Sequence, residues 1–314
     1  ECVHCEPCFL LSGWGGAGAF SDGKLTLSNE VGGWLNQYMS NKELEELVNY
    51  VDGVYLSFGA PEKYYGTDIE KMEDIERRAS LAGLKLVHQR IRHMGTERCA
   101  QTLKKMRQEL EGKVEFRPSK DVKGLIMKDK NVEGVETVNG DKFFGKYVIV
   151  ASGRSGAEWL QAESQALGLK TLNNPIDVGL RVEVLASVME ELTSVLYEPK
   201  LVYYSKSFDD QVRTFCVAPY GEVITEDYDG VLTVNGQSYS ERKTKNTNFA
   251  ILVSTSFTEP FKEPIAYGKY IARLTNLLSG GIILQRLGDL EVGRRSTEER
   301  INRSLVVPTL KNAT

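Results

Sequence analysis

Apolar residues change their spacing twice along the chain. Leu44, Leu47, Val48, Val51, Tyr55 and Phe58 recur at steps of three and four, the period that sets side chains on one face of an amphipathic helix. A second helix is predicted to open at Thr67, where Thr67 and Glu70 have capping-box spacing, and to stop near Gly83. A third follows Thr96 and is expected to bury Cys99, Leu103, Met106 and Leu110. Beyond Gly112 the pattern shortens to strands at 114–116, 122–127 and 132–138, with Asn139-Gly140-Asp141 as a turn. Residues 146–153 read as a β-branched strand ending in glycine, followed by a helix over 156–167 with Gly168 as its C-cap.

From 175 to 257 the pattern is mostly strand-like, with turns at Phe208-Asp209-Asp210, Asp229-Gly230 and Asn235-Gly236. A helix over 265–278 stops at Gly280-Gly281. A final charged helix is placed at Ser296, where Ser296 and Glu299 repeat the capping-box spacing. The outline is mixed α/β, with a domain boundary within 168–177.

Composition narrows the class. The 314 residues are enough for two domains, and 41% hydrophobic with 26% charged residues is ordinary for a globular chain. A net charge of -4 gives no global attraction to nucleic acid or anionic lipid. The longest apolar runs, 147–151 and 249–253, are too short to cross a bilayer, and no signal-peptide pattern is visible. Five cysteines, an odd number with three of them inside seven residues, do not resemble a secreted disulfide framework. A reducing cytoplasm is expected, with a small-molecule substrate as partner, no nucleic acid, no membrane, and no oligomeric state assigned.

Three segments could carry chemistry. Gly13, Gly15 and Gly18 satisfy G-x-G-x-x-G, but only 9–12 separate this loop from a cysteine cluster and no helix start follows at 20–23. A dinucleotide fingerprint needs a strand before it and a helix after it. The spacing fits better a loop whose missing side chains let backbone N–H groups approach a flat or anionic ligand, with a tight structural turn as the alternative. Asp22 and Lys24 are the ionisable residues here, either a proton relay and ligand anchor or groups that fix the turn. Cys2, Cys5 and Cys8 have C-x-x-C-x-x-C spacing, which suits an iron–sulfur cluster or a zinc site lacking its fourth ligand; three reduced thiols are the alternative. Cys99 and Cys216 read as small buried apolar residues, Arg294-Arg295 as a solvated face or an anion fork, and His88 and His93 as surface histidines.

Cys5-x-x-Cys8 leading into Ser-Gly-Trp-Gly-Gly-Ala-Gly-Ala-Phe-Ser-Asp-Gly-Lys-Leu resembles a signature of FAD-dependent dehydrogenases of mostly unassigned substrate, flavoproteins of the two-dinucleotide-binding-domain type. The likeness continues through Gly95-Thr96-Glu97-Arg98, 147–159, Asp177-Val178-Gly179-Leu180-Arg181-Val182-Glu183, Arg213-Thr214-Phe215-Cys216, Tyr220-Gly221-Glu222-Val223, Asn246-Thr247-Asn248-Phe249-Ala250 and Gly293-Arg294-Arg295-Ser296-Thr297. Members begin with a strand and dinucleotide fingerprint, and carry a later Gly-Asp-Gly-like flavin segment. The resemblance therefore implies the middle portion of such a protein.

The implied fold is an incomplete FAD/NAD(P)-binding Rossmann-like α/β domain at 1–174, a β-rich second domain at 175–293 and a return segment at 294–314. The implied activity is electron or hydride transfer through FAD, with NAD(P)H open as donor. Gly13, Gly15, Gly16, Ala17 and Gly18 would pass over the flavin ring, Ala151, Ser152 and Gly153 would lie near the adenosine and phosphates, and Val122 on the strand that contacts adenine. A cysteine-ligated electron-transfer module without flavin, or a non-catalytic scaffold, are the competing readings.

Overall fold

The computed structural model describes residues 13–153, 155–228, 230–258, 260 and 263–310. In chain order the first elements are β1 (Lys24–Leu27), α1 (Asn41–Ser57), α2 (Ile69–Leu81), β2 (Lys85–Val87), β3 (Arg90–His93) and α3 (Thr96–Glu109). Then come β4 (Val122–Lys128), β5 (Asn131–Thr137), β6 (Lys142–Phe144), α4 (Ala157–Ala166), β7 (Ile176–Leu185), α5 (Ala186–Leu196) and β8 (Lys200–Tyr204). The chain closes with β9 (Gln211–Ala218), β10 (Glu222–Tyr228), β11 (Val231–Gln237), β12 (Asn246–Thr255), α6 (Pro264–Ser279), α7 (Leu287–Glu291) and α8 (Glu298–Asn302). Every pairing between these strands is antiparallel. Among the described residues there is thus no parallel crossover of the kind a Rossmann-like sheet is built from.

The chain divides into two compact units. One comprises Glu1–Phe20 and Leu103–Leu172, the other Ser21–Thr102 and Asn173–Thr314. The expected division at 174/175 differs from this, because the helical segment 21–102 packs with the strand-rich half rather than with 103–172.

In the first unit β4, β5 and β6 form a three-stranded meander. Helix α4 docks on β4 through Trp159, whose Nε1 donates to the Lys123 carbonyl at 3.0 Å, and through Glu163 Oε2, which accepts the Leu125 N–H at 3.0 Å. The aromatic edge of Trp14 meets Phe116 at 5.1 Å, with the Arg107 guanidinium over the Phe116 ring. Two expected strands are corrected here. Residues 114–116 form none, and the run at 146–153 has no sheet partner among the described residues. Ile149 is 90% exposed. An apolar run becomes a strand only where neighbours take up its backbone groups.

In the second unit the main sheet has the order β2-β8-β9-β12-β7, with β1-β3 and β10-β11 as separate pairs. Met72, Ile75, Leu86 and Leu196 form one core cluster, joined by Leu192, Val195 and Leu201, which ties α2 and α5 to β2 and β8. Each fully buried side chain of this kind contributes roughly 1.5–3 kcal/mol relative to exposure. Ala60, Met94 and Cys99 form another, with Leu25 and Tyr55 against it.

Helix ends and one face depart from the periodic reading. Ser40 and Glu43 form a full capping box for α1, whose buried residues are Leu44 and Asp52, while Leu47 and Val51 stay exposed. The stripe rotates because Asp52 turns inward to receive the buried Arg92 at 2.6 and 2.8 Å. Asp68, not Thr67, caps α2, and Thr297, not Ser296, caps α8; the Ser296 hydroxyl donates to the buried Asp289 instead. Helix α5 interrupts the region read as strands. Asn235-Gly236, read as a turn, lies inside β11 and pairs with Ile224 and Val223.

Candidate functional site

The site grows from the start of β1, in the second unit. Gly23 has φ +68, and a Cβ there would collide with the Cys99 sulfur, so only glycine brings the backbone this close to α3. Asp22 and Lys24, on either side of it, are both turned inward, and Lys24 pairs with His93 of β3 across the ladder.

Two backbone irregularities deliver the partners. Helix α5 ends at Leu196, and Tyr197 takes φ 58, ψ -60, a left-handed φ unfavourable for a residue with a Cβ. This turn aims Glu198 at β1, where its Oε2 stands 2.7 Å from Lys24 Nζ. The second irregularity is a bulge in β9, where the register against β12 shifts between Asn248 and Ala250 and Cys216 has φ +46. Bulges re-aim side chains, and this one offers Lys24 both the Val217 carbonyl, at 2.9 Å, and the Cys216 sulfur, at 3.7 Å.

Lys24 is therefore enclosed by Asp22, Glu198, Cys216 and Val217. Asp22 Oδ2 is 3.1 Å from Nζ but outside hydrogen-bonding angles, so that oxygen is buried without a hydrogen-bond partner. Burial pushes the Asp22 carboxyl above its ordinary range, and the nearby ammonium only partly opposes this. Burial alone would lower Lys24, but the charges of Asp22, Cys216 and Glu198 outweigh it and hold the amine well above its usual value. Desolvation thus makes Asp22 a weaker acid than an exposed aspartic acid, while Lys24 stays a charged amine.

Beside this cluster runs a short hydrogen-bonded chain. The His93 ring stacks on Tyr197 at 4.3 Å, its Nε2 meets the Ser238 hydroxyl at 3.1 Å, and the Tyr197 hydroxyl meets the same Ser238 oxygen at 2.9 Å. Burial, then the Lys24 charge, lower His93 to about 3, so the ring is neutral at ordinary pH. Burial also raises the Tyr197 phenol. Behind Cys216, both terminal nitrogens of Arg181 donate to the Cys216 carbonyl at 3.1 Å, and Nη1 also donates to Asn248 Oδ1 at 2.6 Å. Asn235 Oδ1 accepts from Arg181 Nη2 at 3.3 Å, while its amide nitrogen donates to Glu226 at 2.7 Å. Gly236 is where this guanidinium fits: a Cβ there would lie 2.5 Å from Arg181 Nη1.

Of the residues singled out in the sequence, Asp22 and Lys24 share this buried cluster. The glycine loop belongs to the other unit. Gly13, Gly15 and Gly16 have φ +79, +83 and +51, Gly16 N–H donates to the Gly13 carbonyl at 3.0 Å, and Ala17 and Gly18 lie in a 3-10 turn, Gly16–Phe20. A Cβ at Gly13, Gly16 or Gly18 would meet nothing within 4 Å, whereas at Gly15 it would strike Leu103 at 2.7 Å. Gly15 thus serves packing, and the other three have open space where a side chain would stand. Val122 opens β4 opposite Thr137. Ser152 hydrogen-bonds the Gly156 carbonyl at 3.4 Å, Ala151 is exposed, and Gly153 has φ +64 with open space around it, all without the expected strand. Cys2, Cys5 and Cys8 lie outside the described residues, and among the described residues no group of three or more His, Cys, Asp or Glu could hold a metal.

The sequence reading missed Glu198, Tyr197, Ser238, Arg181, Asn235 and Asn248, and it misread His93 and Cys216. His93 is half-buried and stacked on Tyr197, and Cys216 sits among polar partners rather than in an apolar core. His88, by contrast, is exposed and pairs with Glu76 at 2.9 Å. Arg294 is tied to the buried Asp289 at 2.6 Å. Among the described residues no helix is long and apolar enough to cross a membrane.

An uncharacterized protein of Clostridium beijerinckii is 26% identical over 312 residues, with 91% of this chain and 50% of the relative covered. The chain therefore spans about half the length of the curated relative it matches. Residues 175–304, from β7 through α8, match the family described as FAD-dependent protein, C-terminal domain-like, and that stretch supplies Arg181, Tyr197, Glu198, Cys216, Ser238 and Asn248 of the site.

Proposed function

We propose that this chain is part of an FAD-dependent oxidoreductase acting on a small molecule in the cytoplasm. The observation that carries the reading is the match of residues 175–304 to a family named for FAD dependence. The open glycine face supports it. Gly13, Gly16 and Gly18 would admit the flavin ring, Gly15 and Ala17 would shape the turn, and Ala151, Ser152, Gly153 and Val122 would lie toward the nucleotide end. When bound, FAD supplies hydride or electron transfer, with NAD(P)H left open as donor.

The chain's own part would be to hold protons and fixed charge. Lys24 keeps a positive charge within the fold, Asp22 holds a proton above the ordinary carboxylate range, and Glu198 fixes the ammonium in place. Such an arrangement suits a reaction whose electron movement must be matched by a proton. The exposed run at Tyr147, Ile149 and Val150 is consistent with a Rossmann-like sheet that the longer protein would complete.

The visible absorption spectrum of this chain and of its longer parent, each incubated with FAD and desalted, tests the reading. A flavin band retained by the parent supports it. No band in either would abandon it in favour of a cysteine-ligated electron-transfer module or a bare scaffold.

A further inference from the structure

Strand alternation in the main sheet of the second unit gathers charge around one exposed ring. Arg213 and Phe215 lie two positions apart on β9, and so on the same side of it. The register that pairs Val202 with Arg213 sets Lys200 of β8 across from Phe215. The carboxylates in reach of Lys200 are committed elsewhere. Asp177 accepts Arg213 Nη1 and Nη2 at 2.9 and 2.5 Å, and the Ser254 hydroxyl at 2.7 Å. Glu198 accepts the Cys216 N–H at 3.0 Å through Oε1, and its Oε2 stands 2.7 Å from Lys24.

Lys200 is left out of this pairing. It is half-buried, yet among the described residues its amine has no hydrogen-bond or ion-pair partner. Burial lowers the amine from its ordinary value; Glu198 opposes this and Arg213 adds to it. An ammonium partly withdrawn from water without a counter-ion carries a free-energy cost that a bound anion would offset. Beside it Phe215 is 42% exposed, a second and independent feature. Lys200 Nζ lies 5.8 Å from the centre of that ring and the Arg213 guanidinium carbon 5.9 Å. Gly179, on β7, is exposed and has no side chain to cover the sheet there.

The geometry points to Lys200 and Phe215 as a binding site for a small anion that carries a flat ring, of the aromatic carboxylate class. The ligand ring stacks on Phe215, and its carboxylate accepts hydrogen bonds from the Lys200 ammonium. Arg213, held in place by Asp177, stands beside the same ring and keeps its own partner throughout. A cation next to an apolar ring selects against a bare anion, which gains only the first contact, and against a neutral or cationic ring, which gains only the second. This inference stands whether or not the chain binds flavin.

The test is isothermal titration of the full chain, without FAD, with sodium benzoate as probe. Saturable binding is expected, and acetate, the same anion without the ring, should bind about tenfold more weakly or less. Lys200→Met should weaken benzoate binding by about tenfold, Lys200→Arg should keep most of it, and Phe215→Ala should weaken it with Lys200 intact. Because Lys200 has no partner to lose, Lys200→Met is expected to leave the urea midpoint close to wild type. The idea is overturned if benzoate does not bind, if acetate binds as well, or if folded Lys200→Met binds benzoate as the wild type does. A Lys200→Met chain that fails to fold, or unfolds at a much lower midpoint, would equally overturn it by making Lys200 a support of the fold.

Discussion

Lys24 Nζ stands 2.7 Å from Glu198 Oε2, with the two side chains only 8% and 10% exposed, so an ion pair of the second unit is shut almost wholly away from water. Removing one member of such a pair leaves the other charge buried and unmatched, at a typical cost of about 3–5 kcal/mol. Lys24→Met, which strands Glu198, is therefore expected to lower the urea midpoint strongly. An unchanged midpoint with an unchanged slope would mean that the cluster adds nothing to stability.

The pH dependence of stability has a definite sign at His93. Its folded value, about 3, lies below the ordinary 6.5. Between those values the unfolded chain takes up a proton that the native chain refuses, so stability falls as pH drops through that window, by up to ~1.4 kcal/mol per pH unit. Above 6.5 the group contributes no slope. His93→Gln should flatten this acid limb in urea titrations run at a series of pH values.

Asp22 works in the opposite direction. Burial raises its folded value above 3.8, so as pH climbs past 3.8 the unfolded chain releases a proton that the native chain retains. Stability contributed at low pH is lost up to the folded value. Asp22→Asn removes that loss, and its stability relative to wild type should rise with pH across the window. A constant difference at every pH would show that Asp22 is ionised in the fold.

Gly236→Ala tests the Arg181 seat. An added Cβ would lie 2.5 Å from Arg181 Nη1 and would also collide with Asn248. Overpacking of this kind costs roughly 1–3 kcal/mol, and here it would also shift the guanidinium off the Cys216 carbonyl. Calorimetry should show a lowered Tm, while Gly288→Ala, at a position with open space, should leave Tm close to wild type.

Gly18→Val separates folding from cofactor binding. A Cβ at Gly18 meets nothing within 4 Å, and its φ lies outside the left-handed region. The substitution should leave the unfolding curve of the chain nearly unchanged. If this face receives the flavin ring, FAD affinity of the longer protein should fall by about tenfold or more, the equivalent of ~1.4 kcal/mol. Equal FAD affinity in the two proteins would remove Gly18 from the cofactor's surroundings.

Local order was legible in the residues themselves. Helix α1 follows from apolar spacing of three and four, α2 from cap spacing, and α3, α4, α6 and the strands β4 and β5 from local residue pattern, because such signals depend on neighbours a few positions away. That Asp22 and Lys24 are the ionisable pair flanking Gly23 was also legible. Their partners were not. Glu198 and Cys216 lie 174 and 192 positions beyond Lys24 in sequence, and reach it through a left-handed Tyr197 and a bulge in β9, neither of which has a periodic signature. The same limit explains the run at 146–153: the sequence by itself determined that it is apolar and β-prone. Only the tertiary structure decided whether it became a strand, since a strand's hydrogen bonds are made by other strands and burial is a property of the packed chain.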